Sequence, residues 1–307
     1  MVTSVACRRP LTGALLVLAL FVFGAPWSTS QAAFAQNQTL FISVVDSNSV
    51  PETDLDLDEV VVQWADEDCE TLDLAPISLP VRVTVFIDNG EETEALQHMR
   101  EGLKGFIAAI PQDVEIALLT IAGRPQWITR HTADRTELAR GLNLVVQYTG
   151  SATRYMDAWV EEASRLNDDT ESQYLPVIVM IAGDGPEGSS ITQGRYDQMK
   201  QRMVDNLATW HTRVYTGNGR GAADQAQIGI EMGRVTRGTY EALGIANAFR
   251  RILPELGQAI ARKHTRASHQ YRVTYAPPDG ASHRPRISVE VNRPDVNLIL
   301  TRDGNVP

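Results

Sequence analysis

Several signatures of enzymes and of nucleic-acid-binding proteins are missing from this sequence. It contains no G-x-S-x-G and no H-E-x-x-H motif, and its six histidines are scattered along the chain. We therefore expect no enzymatic activity, and we interpret each histidine as a surface or capping residue. Basic residues are also few, with 28 Lys and Arg against 38 Asp and Glu. This balance disfavours nucleic acid and anionic lipid as partners, because both require basic patches.

Cysteine is nearly absent, since the chain contains only Cys7 and Cys69. Cys7 lies in the amino-terminal segment that we expect to be removed as a signal peptide, and it lacks the small-residue context of a lipoprotein cleavage site. Cys69 then has no partner in the mature chain, so we expect no disulfide in the fold. The acidic neighbours Asp68 and Glu70 would oppose formation of the Cys69 thiolate, so we interpret this cysteine as structural.

The amino terminus has the features of an export signal. Arg8-Arg9 forms a short basic region, an apolar run follows from Leu11 to Phe23, and Ala33-Phe34-Ala35 has the small-x-small form that a signal peptidase cuts. The apolar run is shorter than the ~20 residues that a membrane span needs. We therefore expect cleavage before Gln36, Sec-dependent export to the periplasm or the medium, and no transmembrane segment afterwards. An uncut membrane anchor is the alternative.

The centre of the chain alternates apolar strands with amphipathic helices. Val81 to Ile87 is typical of a buried strand, the stretch from Leu96 to Ile110 has apolar residues at helical spacing, and Pro176 to Ile181 is strongly apolar. This alternation predicts an α/β fold, with a doubly wound and mostly parallel sheet covered by helices on both faces. Functional loops of such sheets lie at the carboxyl ends of the strands.

Both ends of the chain predict short β-strands. They fall at Phe41 to Val45, Val60 to Trp64, Tyr271 to Tyr275, Ile287 to Val291 and Val296 to Leu300. Neither end has enough residues to bury a core alone, so we expect the two ends to pair into one small β unit. The predicted organisation is a signal peptide over 1–35, an N-terminal β segment over 36–78, an α/β domain over 79–265 and a C-terminal β segment over 266–307.

Three predicted loops carry polar residues at the carboxyl edge of the sheet. They are Asp88-Asn89-Gly90-Glu91-Glu92, Gly150-Ser151-Ala152-Thr153 and Gly183-Asp184-Gly185. With the order of strands and helices, these loops make the chain resemble a von Willebrand factor A domain, of the bacterial exported type with flanking β segments. The resemblance covers residues 40–300. It implies a Rossmann-like fold and a module that binds a protein partner.

In that family the three loops form a metal-ion-dependent adhesion site, in which an Asp-x-Ser-x-Ser motif, a threonine and an aspartate bind Mg²⁺ or Mn²⁺. By resemblance, Asp88, Thr153 and Asp184 occupy the aspartate, threonine and second aspartate positions. Gly90 and Glu92 stand where the family has its two serines. Glu92 is either a direct ligand or an acid in the first turn of a helix, where it favours the helix dipole. Because Gly90 has no side-chain oxygen, we expect a degenerate metal site.

A second motif in the third loop suggests a nucleotide site, which the neighbouring residues argue against. Gly183 to Gly188 is a literal G-x-G-x-x-G. However, Asp184 and Glu187 stand in the turn where a pyrophosphate would bind, and Pro186 removes a backbone donor. We therefore expect no nucleotide. The sequence supports the hypothesis of an exported binding module, and the alternative is a structural scaffold subunit of a cell-envelope assembly that binds through another face without metal.

The predicted processing site can be tested by amino-terminal sequencing of protein from the exported fraction. We expect the mature chain to begin at Gln36, because the small side chains of Ala33 and Ala35 fit the specificity of signal peptidase. A chain that still begins at Met1 would contradict cleavage and favour the membrane anchor.

Overall fold

The computed structural model describes residues 37–90, 93–150, 152–168, 173–183, 185, 187–217, 223–278 and 286–307. Its strands and helices follow in this order: β1 Gln38–Asp46, β2 Val60–Trp64, β3 Glu67–Asp68, β4 Glu70–Ile77, β5 Val81–Ile87, α1 Thr93–Ala109, β6 Ile116–Thr120, β7 Gln126–Thr132, α2 Arg135–Leu144, α3 Tyr155–Asp168, β8 Leu175–Gly183, α4 Gln193–Asp205, β9 Thr209–Tyr215, α5 Ala223–Val235, β10 Thr239–Leu243, α6 Phe249–Ser268, β11 Gln270–Ala276, β12 Ile287–Val291 and β13 Val296–Thr301. None of the described helices is both long and apolar enough to cross a membrane.

A six-stranded sheet forms the centre of the molecule, with the strand order β10-β9-β8-β5-β6-β7. All neighbours pair in parallel except β6 and β7, which are antiparallel. Every residue of β8 is buried, because helices cover both faces of the sheet, and this explains the continuous apolar character of its sequence. The predicted doubly wound, mostly parallel sheet is confirmed.

Two apolar clusters lie on the two faces of this sheet. Alternate residues of β5 point to opposite faces, so Val83 and Val85 enter the cluster with α1 and α6 whereas Phe86 enters the cluster with α3 and α4. In the second cluster the rings of Trp159 and Trp210 meet edge to face with centroids 4.6 Å apart. The sheet is therefore fixed from both sides, and its carboxyl edge is a rigid support for loops.

The two ends of the chain pair in a separate β unit, as the sequence predicts. One sheet has the order β13-β1-β11-β4 and the other has the order β12-β2-β3. Side chains from both sheets, including Ile42, Val62 and Val273, form a third apolar cluster. The unit therefore contains two sheets, where the sequence predicts one. Strands β3 and β4 were not predicted, because β4 is largely solvent-accessible and carries two acids and Pro76, residues that are depleted in strands. The predicted domain boundaries stay a prediction.

Residues that follow β13 join the β unit to the α/β part of the chain. Arg237 pairs with Asp303 at 2.7 Å, and the Nδ2 group of Asn305 donates to the backbone oxygen of Leu207 at 2.9 Å. The buried Nζ of Lys263 donates to Asn305 Oδ1 at 2.5 Å. Val306 is 1% exposed and belongs to the cluster that contains α6. These contacts fix β13 against the amino-terminal side of the central sheet.

Two interpretations of single residues have different outcomes. Cys69 forms no disulfide with any of the described residues. The pKa of its thiol is raised, mainly by burial and to a smaller extent by the charge of Asp68. Both observations agree with a structural cysteine. The interpretation of His264 as a surface or capping residue is wrong. This side chain is buried on α6, and its Nε2 lies 3.1 Å from Asp113 Oδ2 while its Nδ1 lies 3.4 Å from the backbone nitrogen of Val81.

Arg293, in the turn between β12 and β13, contacts three carboxylates of the segment between β1 and β2. Its guanidinium contacts Glu52 at 2.9 Å, Asp54 at 2.6 Å and Glu59 at 2.7 Å. Hydrogen bonds from Arg293 are the largest cause that lowers the pKa values of Asp54 and Glu59. The guanidinium of Arg293 therefore connects two parts of the chain that are more than two hundred positions apart in sequence.

We expect Arg293→Gln to lower the melting temperature at pH 7 by a few degrees. A carboxyl with a depressed folded-state pKa contributes stability above its unfolded pKa, at about 4, and loses it as pH falls through the folded value. The difference between variant and wild type should therefore disappear at low pH. Thermal unfolding from pH 7 to pH 2 measures this. Arg272→Gln is the control, because Arg272 lies 3.8 Å from Asp73 with both side chains about half exposed. A pH-independent difference for Arg293→Gln would contradict the ionic origin of the stabilisation.

Candidate binding site at the carboxyl edge of the sheet

Asp88 occupies the centre of the carboxyl edge, directly after β5. The strand places it between β6 and β8, and its backbone nitrogen donates to the oxygen of Ile181 at 2.8 Å. The residue is only 1% exposed. A carboxylate at this depth requires hydrogen-bond donors, because an unpaired buried charge is strongly destabilising.

Three donors meet the Asp88 carboxylate. Oδ1 accepts from the backbone nitrogen of Gly90 and from the hydroxyl of Thr153, both at 2.9 Å. Oδ2 accepts from the backbone nitrogen of Gly183 at 3.3 Å. Burial raises the pKa of Asp88, and these three hydrogen bonds oppose that rise. The carboxylate is therefore held in one orientation by groups of its own chain.

Thr153 reaches Asp88 because its backbone is fixed between two other loops. It forms isolated β-bridges with Ala122, after β6, and with Glu187, after β8. Its oxygen accepts from the backbone nitrogen of Gly188 at 2.8 Å. Thr153 is 4% exposed, so the loop before α3 is fixed in a defined position. The structure thus brings together Asp88 and Thr153, as the family resemblance implies.

Asn89 fixes the segment between α2 and α3, a role that the sequence analysis missed. Its side chain donates to the oxygen of Val146 at 3.0 Å and accepts from the nitrogen of Ala122 at 3.2 Å. Its backbone oxygen accepts from the nitrogen of Tyr148 at 2.8 Å. The only sequence signal was its place next to Asp88 at a strand end. Asn89 is 7% exposed, and it connects this segment directly to the centre of the edge.

The last residue of α2 and the segment fixed by Asn89 present three large apolar side chains to solvent. Leu144, Val146 and Tyr148 are 65%, 64% and 51% exposed, and we call these three residues the apolar strip. Tyr148 lies against Gly123, where an added Cβ would stand 2.9 Å from the ring and where φ is +74°. Glycine at this position therefore allows the ring to lie close to the loop after β6. Exposed large apolar side chains that follow at alternate positions of one short stretch are typical of interaction sites.

Polar residues connect the other side of the edge. Glu187 accepts from the backbone nitrogen of Ser189 at 2.7 Å and from the Gln225 amide at 3.0 Å. The hydroxyl of Ser189 accepts from the backbone nitrogen of Asp157 at 2.9 Å, and Asp157 pairs with Arg154 at 3.2 Å. Glu187 and Ser189, which follow β8, are thereby fixed to α3 and α5. The sequence alone indicates for Glu187 only that its charge would oppose a pyrophosphate in the G-x-G-x-x-G turn.

The side chains of the described residues do not by themselves fit an octahedral cation. Asp88 and Thr153 supply oxygens, whereas Gly90 supplies none, and Mg²⁺ needs six ligands in regular geometry. Glu92 and Asp184, the other two predicted ligands, lie outside the described residues. Within the described part of the chain, no group of three or more His, Cys, Asp and Glu side chains could hold a metal ion.

No family model and no curated protein matches this sequence. Among solved structures, the chain is similar to a von Willebrand factor type A protein from Catenulispora acidiphila, with 10% identity, a TM-score of 0.49, and coverage of 85% of this chain and 72% of that chain. It is similar to the conserved hypothetical protein BatB from Bacteroides thetaiotaomicron, with 12% identity, a TM-score of 0.45, and coverage of 60% and 99%.

A third similar structure is proximal thread matrix protein 1 from the mussel byssus, with a zinc-occupied MIDAS motif. It shows 9% identity, a TM-score of 0.47, and coverage of 61% of this chain and 50% of that chain. At these identities the similarities concern the fold alone. The order of the central sheet and the loops at its carboxyl edge agree with the sequence resemblance, and the chain has an α/β fold similar to that of von Willebrand factor A domains.

Proposed function

We propose that this protein is an exported, non-enzymatic binding module that recognises a protein partner at the carboxyl edge of the six-stranded sheet. The observation that carries the proposal is the apolar strip, which Asn89 fixes beside Asp88. Tyr148, in the strip, has the amphipathic aromatic side chain that is enriched at the centres of protein interfaces. The strip therefore supplies the anchor for a partner.

Pre-organisation of the strip supports this role. The backbones of Val146 and Tyr148 are each hydrogen-bonded to Asn89, and Val145 between them and α2 is buried. Ordering a flexible loop on binding costs free energy that is subtracted from affinity. Because hydrogen bonds to Asn89 and the buried Val145 already order this segment, binding requires little further ordering. Most of the favourable free energy of apolar contact with a partner would therefore contribute to affinity.

We further propose that the metal site of the family is degenerate here and that binding does not require a cation. Asp88 Oδ1 already accepts two hydrogen bonds and Oδ2 a third. The carboxylate is therefore stabilised without a metal. Gly90 also has no side-chain oxygen that could bind one. Glu92, Thr153 and Asp184 would be the remaining oxygen donors for Mg²⁺ or Mn²⁺, and they give fewer side-chain hydroxyls than the family motif.

The strip can be tested with Tyr148→Ala in a quantitative pull-down of the mature protein from envelope extract. We expect the captured partner to decrease by about tenfold or more, since loss of a central aromatic anchor costs about 2 kcal/mol. Ile230→Ala is the matched control, because Ile230 is a similarly exposed apolar residue, at 54%, on α5. Both variants should keep the wild-type melting temperature.

Capture should be the same in Mg²⁺ and in chelator. A partner that is retained by Tyr148→Ala but lost when another face is altered would contradict the proposal and favour the scaffold alternative. Loss of capture in chelator alone would contradict the metal-independent mode while leaving the location of the site intact.

The degenerate site can be tested by placing a serine at position 90. A Cβ there would stand 3.2 Å from Asp88 Oδ1 and 3.6 Å from Thr153 Oγ1, so a serine hydroxyl would join both oxygens after a small adjustment. We expect millimolar Mn²⁺ to shift the melting temperature of the wild type little and that of Gly90→Ser measurably upward, because a ligand that binds only the folded state stabilises it.

Gly90→Ala is the control for the Gly90→Ser variant, since it adds the same Cβ without an oxygen and should not respond to Mn²⁺. A rise of several degrees in the wild type, abolished by Asp88→Asn, would show a working metal site. The proposal of a degenerate site would then be wrong.

A further inference from the structure

We propose a second binding site, specific for a small oxyanion, in a cavity between α3 and α4. The cavity has a volume of about 220 Å³, and its lining includes Ala163, Ser164, Arg195, Gln198, Met199 and Arg202. None of these residues lies in the loops at the carboxyl edge. The site is therefore separate from the partner surface proposed above.

The lining of the cavity combines an apolar floor with hydrogen-bond donors. Ala163 and Met199 are 1% and 2% exposed and close the inner side. Arg195 and Arg202 are seven residues apart, so they lie about two turns apart on one face of α4. A hydroxyl and an amide, from Ser164 and Gln198, complete the polar part. No lining residue carries a negative charge.

One of the two guanidinium groups is already oriented. Arg202 donates from one of its terminal nitrogens to the Ser164 hydroxyl at 3.1 Å, which fixes its side chain across the gap between the helices. A guanidinium has five N–H donors, so this contact leaves donors for a ligand. Arg195, which is exposed, and Arg202, which is half-buried, therefore line the same solvent-accessible cleft and can offer two forks of donors to a ligand there.

Nearby carboxylates of the described residues are engaged with other groups. On α3, Glu161 accepts from Arg165 at 2.8 Å. On α4, Asp197 accepts from Gln193 at 3.1 Å and Asp205 accepts from Gln201 at 2.7 Å. Within the described part of the chain, neither Arg195 nor Arg202 forms an ion pair with a carboxylate. An anion bound in the cleft would be attracted by both positive charges.

The chemistry of the two arginine side chains and the size of the cavity indicate the class of ligand. Planar guanidinium groups bind carboxylate and phosphate oxygens in pairs of parallel hydrogen bonds, which makes arginine the usual residue for these groups. A water molecule occupies about 30 Å³ in the liquid, so the cavity, with a volume of about 220 Å³, corresponds to about seven water molecules. We therefore assign it to a small oxyanion, either free or at the end of a larger molecule.

The test is a titration of the mature protein at constant ionic strength, with inorganic phosphate in one arm and glutarate in the other. Binding is followed by the arginine side-chain Nε–H signals in NMR and by calorimetry. We expect saturable binding in at least one arm, with the Arg195 and Arg202 signals shifting together. The arm that binds more tightly identifies the oxyanion as a phosphate or a carboxylate.

Arg195→Gln and Arg202→Gln should each weaken binding by about tenfold or more, because a hydrogen bond to a charged group is lost. Arg262→Gln, at an exposed position of α6, is the matched control and should bind like the wild type. Equal losses in all three variants would show unspecific attraction by net charge and would overturn the proposal.

The absence of saturable binding in the wild type would also overturn the proposal. Asp168, Asp169 and Glu171 follow in sequence at the end of α3, and their side chains lie outside those that the structure describes. Pairing of Arg202 with one of these acids would produce that negative result. Melting temperatures and circular dichroism of the variants separate a loss of the site from a loss of the fold.

Discussion

The position of β11 between β1 and β4 is the constraint on which the architecture depends. Both neighbours of this strand precede the central sheet in sequence, whereas β11 follows directly after α6. The register with β1 runs from Gln38 opposite Tyr275 to Ile42 opposite Tyr271. Because α6 also covers the central sheet, β11 can pair only where that helix ends. The place of the β unit at one side of the α/β part follows from this connection.

The opposite side of the central sheet is organised by two successive residues with different roles. Asp88 turns inward and gathers the loops after β5 and β8 and before α3 through hydrogen bonds to its carboxylate. Asn89 holds the segment between α2 and α3 with both its side chain and its backbone. A single strand end therefore positions the loops after β5 and β8 and the segment between α2 and α3. Val146 and Tyr148 of the apolar strip owe their defined location to this arrangement, since they have no regular secondary structure of their own.

Features that depend on local sequence patterns could be predicted, whereas features that depend on contacts between residues far apart in sequence could not. Pro176 to Ile181 was recognisable because burial on both faces demands a continuous apolar run. The adjacency of Asp88 and Thr153 came from family resemblance and not from spacing. The hydrogen bond between Asn89 and Val146 joins residues 57 positions apart, and neither residue type signals it. The Arg195 cavity depends on how α3 and α4 lie against each other, which periodicity does not specify.

The interleaving of the chain ends also determines when the protein can fold. The hydroxyl of Tyr271 accepts a hydrogen bond from the nitrogen of Leu55, 216 positions earlier in the chain. During synthesis β1 and β4 therefore exist long before their shared partner strand. Unpaired strand edges invite association with other chains, and contacts of such long sequence separation form slowly. The central sheet can assemble from local βα units as they are made, whereas the β unit can close only after β11 has been synthesised, so completion of the fold waits for the carboxyl end of the chain.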